Sequence, residues 1–240
     1  MKKLLEFILD MLFPKFCVNC GREGTYLCQD CFSLIDIFRQ QHCPFCYPPK
    51  PTADGKTCPS CQRRKYLNGL FCAASYDNYI VKNLINQFKY EPYVKEMSKP
   101  ISFLIAAHFI NLENPYFLEE SRREDFILIP VPLHIKKMKQ RGYNQAEEIG
   151  KEVSKLLKVP LINNVLVKIK ETPSQTELTK EEREKNILGT FLCRNTESVK
   201  NKKIFLIDDV FTTGSTMEEC ALTLKRAGAK EVWGITVARG

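Results

Sequence analysis

The chain has 240 residues, 44% of them hydrophobic and 27% charged, which excludes a disordered or fibrous chain and places its length between one average domain and two. A formal net charge of +8 favours anionic partners such as phosphates, nucleic acid or an acidic protein, without choosing among them. No apolar run approaches the roughly 20 residues a bilayer-spanning helix needs, so no transmembrane segment is expected, and a soluble, cytoplasmic protein is.

The chain starts MKKLLEFILDMLFPKFC, basic and then apolar, but Glu6 and Asp10 interrupt the run and no small-residue cleavage site follows, so it reads as neither signal peptide nor span. Leu4, Leu5, Ile8, Leu9, Met11 and Leu12 fit one face of a short packing helix that Pro14 ends. Next come the cysteines. Eight of the eleven form four C-x-x-C pairs: Cys17/Cys20, Cys28/Cys31, Cys43/Cys46 and Cys58/Cys61. Two thiolates on one tight turn reach one ion, and two such turns complete the tetrahedral sulfur site that suits zinc. Consecutive pairing gives one ion at Cys17, Cys20, Cys28 and Cys31 and another at Cys43, Cys46, Cys58 and Cys61, while the spacing also leaves an interleaved, cross-braced pairing open. An iron–sulfur cluster uses the same ligand count, whereas a thioredoxin-like redox pair fits four crowded pairs poorly. With four thiolates each, both sites lack an open position for chemistry, so the expected role of zinc is structural, and His42 is a bystander. Cys72, Cys193 and Cys220 read as small core residues.

Arg63, Arg64 and Lys65 beside Tyr66 form a basic, aromatic patch of the kind that grips single-stranded nucleic acid, or else a solvated linker. A boundary is expected there, with a helix and double zinc ribbon over 1–66 and a second domain over 67–240. From residue 71 onward strand and helix signals alternate. Helices are expected over 80–88, over 94–110 with an interruption at Pro100, over 144–159 and over 216–227; strands over 126–129, 161–165, 204–207 and 232–237. That alternation implies an α/β fold with a mostly parallel sheet covered by helices, and ligands of such sheets bind at the carboxyl ends of the strands.

The stretch IFLIDDVFTTGST, residues 204–216, stands at such an end. Four apolar residues bury the strand, and Asp208 and Asp209 then emerge as carboxylates that cannot sit unpaired in a core. Thr212, Thr213, Gly214, Ser215 and Thr216 supply hydroxyls and backbone N–H groups at the start of the next helix, where an anion is favoured. Carboxylates accept from vicinal sugar hydroxyls, and the turn accommodates a phosphate, so the ligand implied is a sugar phosphate. A second rim segment, PVPLHIKKMKQRGYNQ, carries Lys136, Lys137, Lys139 and Arg141; Arg141 can fork onto phosphate oxygens, Gly142 permits close approach, and Asn144 either caps the next helix or touches ligand. His134 has no evident base partner.

These residues carry a resemblance. IFLIDDVFTTGST resembles the phosphoribosyl pyrophosphate (PRPP) motif of type I phosphoribosyltransferases, and with the cysteine ribbons, IPVPLH, RGYNQ and TPSQTELTKEEREKN the whole chain is similar to the ComF family of competence proteins. The resemblance implies that Asp208 and Asp209 hold the ribose 2′- and 3′-hydroxyls and that Val210, Phe211 and Thr212 to Thr216 wrap the 5′-phosphate. Arg141, Gly142, Asn144, Gln175 and Arg183 would face the pyrophosphate, with Arg183 reaching in from a closing loop over 168–186. It further implies magnesium with PRPP, Asp208, Asp209 and Arg183 as catalytic residues if transfer occurs, and single-stranded DNA or the DNA-uptake machinery as partners. The acceptor and the oligomeric state have no signal in the sequence.

Overall fold

A computed structural model describes residues 13–52, 55–112, 126–171 and 186–240. The helix expected before residue 13 lies outside the described residues, as does the closing-loop segment 172–185 with Gln175, Leu178 and Arg183. The described strands are β1 (Gly69–Ser75), β2 (Phe126–Pro130), β3 (Leu166–Lys168), β4 (Phe191–Cys193), β5 (Lys203–Ile207), β6 (Val210–Phe211) and β7 (Glu231–Arg239). The helices are α1 (Gln29–Ser33), α2 (Pro59–Gln62), α3 (Tyr79–Lys89), α4 (Ser98–Asn111), α5 (Ile135–Arg141), α6 (Gln145–Leu157) and α7 (Ser215–Arg226).

The main sheet is wholly parallel, in the order β1-β7-β5-β2, and β6 continues the line of β5 along β7. Its strands are buried on both faces, so they read as unbroken apolar runs rather than alternating ones. Alternate residues divide the core. Phe71, Phe205, Ile207 and Ile235 pack with residues of α3, α4 and α6. Leu70, Ile204, Leu206 and Val232 pack with α7 and the small antiparallel β3–β4 ribbon. Phe205 anchors the first face, stacked on Phe126 at 4.1 Å and edge-on to Phe71 at 6.1 Å.

Both sheet edges are covered. Phe38 N donates to Ala73 O and Thr57 N to Asn68 O, laying the cysteine-rich segment along β1, while Leu128 N to Pro160 O and Ile162 N to Leu128 O close the β2 side. Three elements differ from expectation. Pro100 does not interrupt a helix, because α4 starts at Ser98 and puts Pro100 in the first turn, where its missing N–H has no intrahelical partner to lose. The strand expected over 161–165 is a single bridge at Leu161, and the extended residues 166–168 pair with β4 instead. Helix α5 was not expected, since its sequence IKKMKQR lacks a broad apolar stripe; its ends are set by the His134 ring accepting from Lys136 N and by Gly142 at φ +77°.

Candidate functional site

The cysteines resolve into two consecutive tetrads, Cys17, Cys20, Cys28 and Cys31, and Cys43, Cys46, Cys58 and Cys61, each with all sulfurs within 4.8 Å of one another. The interleaved pairing is thereby excluded. Sulfur–sulfur separations of 3.6 Å (Cys20–Cys28), 3.5 Å (Cys46–Cys58) and 3.7 Å (Cys46–Cys61) match the edge of about 3.8 Å that a zinc tetrahedron with 2.3 Å bonds requires. Cys28 and Cys58 each begin a helical turn, α1 and α2, and their backbone N–H groups donate to Cys17 Sγ and Cys43 Sγ (3.5 and 3.4 Å). Cys58 is pulled down to about 6, first by the Ser60 hydroxyl and then by the Cys61 N–H, while Cys46 is pushed up to about 12 by its hydrogen bond with Cys58 and by burial. Neighbouring sulfurs cannot all ionise without a cation between them, and a closed structural zinc supplies it.

The chemistry expected at the rim gathers where β5 passes into β6. The register does not slip there: Ile207 lies opposite Ile235 and Val210 opposite Ala238. Between them Asp208 N donates to Ile235 O, and Asp209 O accepts from both Val237 N (3.1 Å) and Ala238 N (3.3 Å), so the two acids stay tied to β7. Asp209 N donates to Asp208 Oδ1 at 2.9 Å. Asp209 is 5% exposed and its Oδ1 lies 2.7 Å from Lys89 Nζ, at the end of α3. Asp208 opens onto a cavity and is otherwise enclosed by protein. Burial, then the charge of Asp209, pushes its carboxyl up to about 7 against the opposing pull of Lys89. Burial works to lower the Lys89 pKa, but the Asp209 charge and hydrogen bond outweigh it and raise it.

Beyond Phe211 the chain turns through Thr212 to Gly214 into α7. Gly214 sits at φ +78° directly on the Phe211 ring, where an added Cβ would lie 2.4 Å from Cζ, so no other residue fits there without displacing the ring. Thr213 Oγ1 and Ser215 Oγ share a hydrogen bond of 2.9 Å at the helix entrance. The turn and the acids line one cavity of about 350 Å³, with Lys137 and Arg141 of α5, Lys168 of β3, and Tyr76, Lys89 and Tyr90 flanking α3 also on its wall. Burial, then Arg141 and Lys89, lowers the pKa of Lys137; burial, then Lys137, lowers that of Lys168. Crowded, partly desolvated cations of this kind are relieved by an anion.

Asp208, Asp209, Val210 to Thr216, Arg141 and Asn144 therefore converge on the cavity. The two polar groups of Asn144 are engaged within the fold: Oδ1 caps α6 by accepting from Ala146 N, and Nδ2 donates to Val131 O. Gly142 is not among the lining residues, and a Cβ there would meet nothing within 4 Å, so its glycine serves the left-handed end of α5 rather than close approach. Arg141 Nη1 donates to Gln145 Oε1 (3.0 Å), and the guanidinium lies over the Tyr90 ring. Sequence reasoning missed Lys89, Tyr90 and Tyr76. A lysine in the last turn of α3 looks like ordinary complement to the helix dipole, and nothing local signals that it reaches Asp209.

Two outcomes follow for the ligand-free protein. A carboxyl raised from the ordinary 3.8 to about 7 contributes stability that is full below about pH 4 and lost as pH rises through 7. Asp208→Asn, which cannot ionise, is expected to gain over the wild type by roughly 1–3 kcal/mol between pH 5.5 and 8.5, read from urea unfolding; a difference independent of pH contradicts the assignment. Metal analysis of the full chain is expected to return about two zinc ions, and Cys43→Ser with Cys46→Ser about one, whereas two ions in that variant would overturn the tetrads.

Comparison with known proteins agrees with this geometry. A phosphoribosyl transferase domain model matches residues 144–240, and a double zinc ribbon domain model matches residues 8–62. Competence protein F of Haemophilus influenzae is 36% identical over 114 residues, 46% of this chain and 50% of that protein, so the chain matches about half the length of that relative. Competence protein ComFC of Streptococcus pneumoniae is 26% identical over 224 residues, covering 90% of this chain and 89% of that protein. DNA utilization protein YhgH of Escherichia coli K12 is 28% identical over 152 residues, 62% of this chain and 64% of that protein. Among the described residues no helix is long and apolar enough to cross a membrane. With its paired cysteine tetrads set against a parallel sheet, the chain carries a double zinc ribbon and a phosphoribosyl transferase domain and is similar to competence proteins F and ComFC.

Proposed function

We propose that this chain binds PRPP, or a closely related ribose phosphate, and that it assists the handling of single-stranded DNA in the cytoplasm during DNA uptake. The observation that carries the ligand is the cavity that unites adjacent carboxylates, a hydroxyl-rich helix entrance and a cluster of cations. Asp208 and Asp209 accept from the ribose hydroxyls, and the segment from Val210 to Thr216 holds the 5′-phosphate at the amino end of α7. Arg141 and Lys137 face the pyrophosphate, with Gln175 and Arg183 completing that side. Asn144 and Gly142 fix the ends of the helices that present it. Carboxylate and phosphate oxygens are hard donors that suit magnesium, which neutralises the pyrophosphate when bound. The ribbons over 1–66 form the metal-braced module and 67–240 the ligand-binding one.

The DNA part rests on the names of the relatives, on the net charge of +8, and on the exposure of Arg63, Arg64 and Tyr66 beside the second tetrad. A second reading, a magnesium-dependent phosphoribosyltransferase, is favoured by one feature: Tyr76 and Tyr90 line the same cavity as the acids and offer aromatic surface to a nitrogen base. In that reaction the nucleophile's nitrogen bonds to the anomeric carbon as the bond to pyrophosphate breaks, and positioning with charge stabilisation suffices.

Calorimetry with PRPP and magnesium tests the ligand. Asp208→Asn with Asp209→Asn is expected to weaken binding at least about tenfold, through loss of two charged acceptors. Unchanged affinity removes the acids from the site. For the DNA role, anisotropy of a labelled oligothymidylate is expected to show affinity falling steeply with salt, the slope easing by about 1.4 in Arg63→Ala with Arg64→Ala. A response to salt that is flat, paired with pyrophosphate release from PRPP and a free base, selects the enzyme.

A further inference from the structure

The second tetrad and the phosphate turn share a wall. The knuckle Cys43-Pro44-Phe45-Cys46 supplies two of the four sulfurs, and Phe45 between them packs edge-on to Phe211 with ring centroids 6.1 Å apart. Phe211 is 2% exposed, and its ring is the floor on which Gly214 rests. Arg239, at the end of β7, holds both partners: it donates to Cys43 O (3.4 Å) and Pro44 O (3.1 Å), and its guanidinium lies 6.0 Å over the Phe211 ring. Lys65, just past the last cysteine, covers Phe45 at 5.0 Å. Past it, Tyr66 N and Leu67 N donate to the Glu218 carboxylate (2.7 and 3.2 Å) in the first turn of α7. The second ribbon thus grips the turn from its strand side and from its helix side. Among the described residues the first tetrad lies elsewhere: Cys17, Cys28 and Cys31 belong to the core cluster on the other face of the sheet from Phe211.

We propose that Phe45 and Arg239 are positioning residues that couple the second zinc site to the phosphate turn, so that zinc at Cys43, Cys46, Cys58 and Cys61 and phosphate at Thr212 to Thr216 stabilise one another. A tightly packed wall transmits small shifts rather than absorbing them. Removing zinc frees the knuckle, Phe45 leaves the Phe211 ring, and the turn loses the floor that sets its N–H groups. Linkage then requires the reverse: a bound phosphate must make the opening of that tetrad less favourable and leave the other unaffected. This coupling rests on the proposed binding of PRPP at the turn.

The test uses the zinc-loaded full chain. Alkylation by N-ethylmaleimide, in magnesium and without chelator, followed by peptide mass spectrometry, gives a separate rate for each cysteine. Saturating PRPP is expected to slow modification of Cys43, Cys46, Cys58 and Cys61 about fivefold and to leave Cys17, Cys20, Cys28 and Cys31 unchanged. Phe45→Leu, which keeps apolar volume without the ring, is expected to retain two zinc ions yet bind PRPP about fivefold more weakly, while Phe45→Tyr stays within about twofold. The coupling is overturned if PRPP binds the wild type by calorimetry but slows neither tetrad, or slows both equally, or if Phe45→Leu binds as the wild type does. No PRPP binding to the wild type would instead overturn the functional reading on which the coupling stands.

Discussion

The ion pair of Lys89 with Asp209 is what lets two adjacent carboxylates stand at the end of a buried strand. Without it, Asp208 and Asp209 would leave two unscreened negative charges against the sheet, and burial alone already drives the Asp208 carboxyl toward its neutral form. With it, one acid is paired with an ammonium while the other faces the cavity. The same ammonium belongs to a cluster with Lys137, Arg141 and Lys168, so the rim holds positive charge on one side and a hydroxyl-rich helix entrance on the other. A fold seeking stability alone would place apolar residues at this junction. In the proposed reading the cavity walls are instead arranged for a ligand that is itself both anion and polyol, which would complete the electrostatics.

Metal does for the amino-terminal segment what apolar burial does for the rest. Among the described residues the ribbons contribute few core residues beyond their own cysteines, and they lie along the edge of β1, giving that edge hydrogen-bond partners it would otherwise lack. Ribbon and sheet are therefore one packed structure. The contacts of Phe45, Lys65 and Arg239 extend that continuity from the sulfur clusters to the turn that begins α7. In this arrangement a structural ion need not touch a ligand to influence how it is held.

What was legible in the sequence was whatever repeats or is locally complete. The C-x-x-C spacing named all eight cysteines of the two tetrads, although only three-dimensional proximity chose consecutive over interleaved pairing. The buried strand before Asp208 and the Thr-Thr-Gly run after it announced the rim, because a period change and a cluster of turn residues sit side by side in the chain. Residues whose role depends on distant partners gave no such signal. Lys89 looks like a helix-terminal lysine, Tyr90 like a surface aromatic, and Gly142 like a ligand-side glycine when it serves the left-handed end of α5. The three-residue strands β3 and β4 are too short to show a period, and Pro100 misled because its position within the helix could not be judged before the start of α4 was known.

A structure determined with PRPP and magnesium bound tests the central claim most directly. The account predicts the 5′-phosphate against the turn from Thr212 to Thr216, with the ribose hydroxyls within hydrogen-bond distance of Asp208 and Asp209. A phosphate bound elsewhere on the basic surface, with Asp209 still facing only Lys89 and no ribose at the acids, would contradict it.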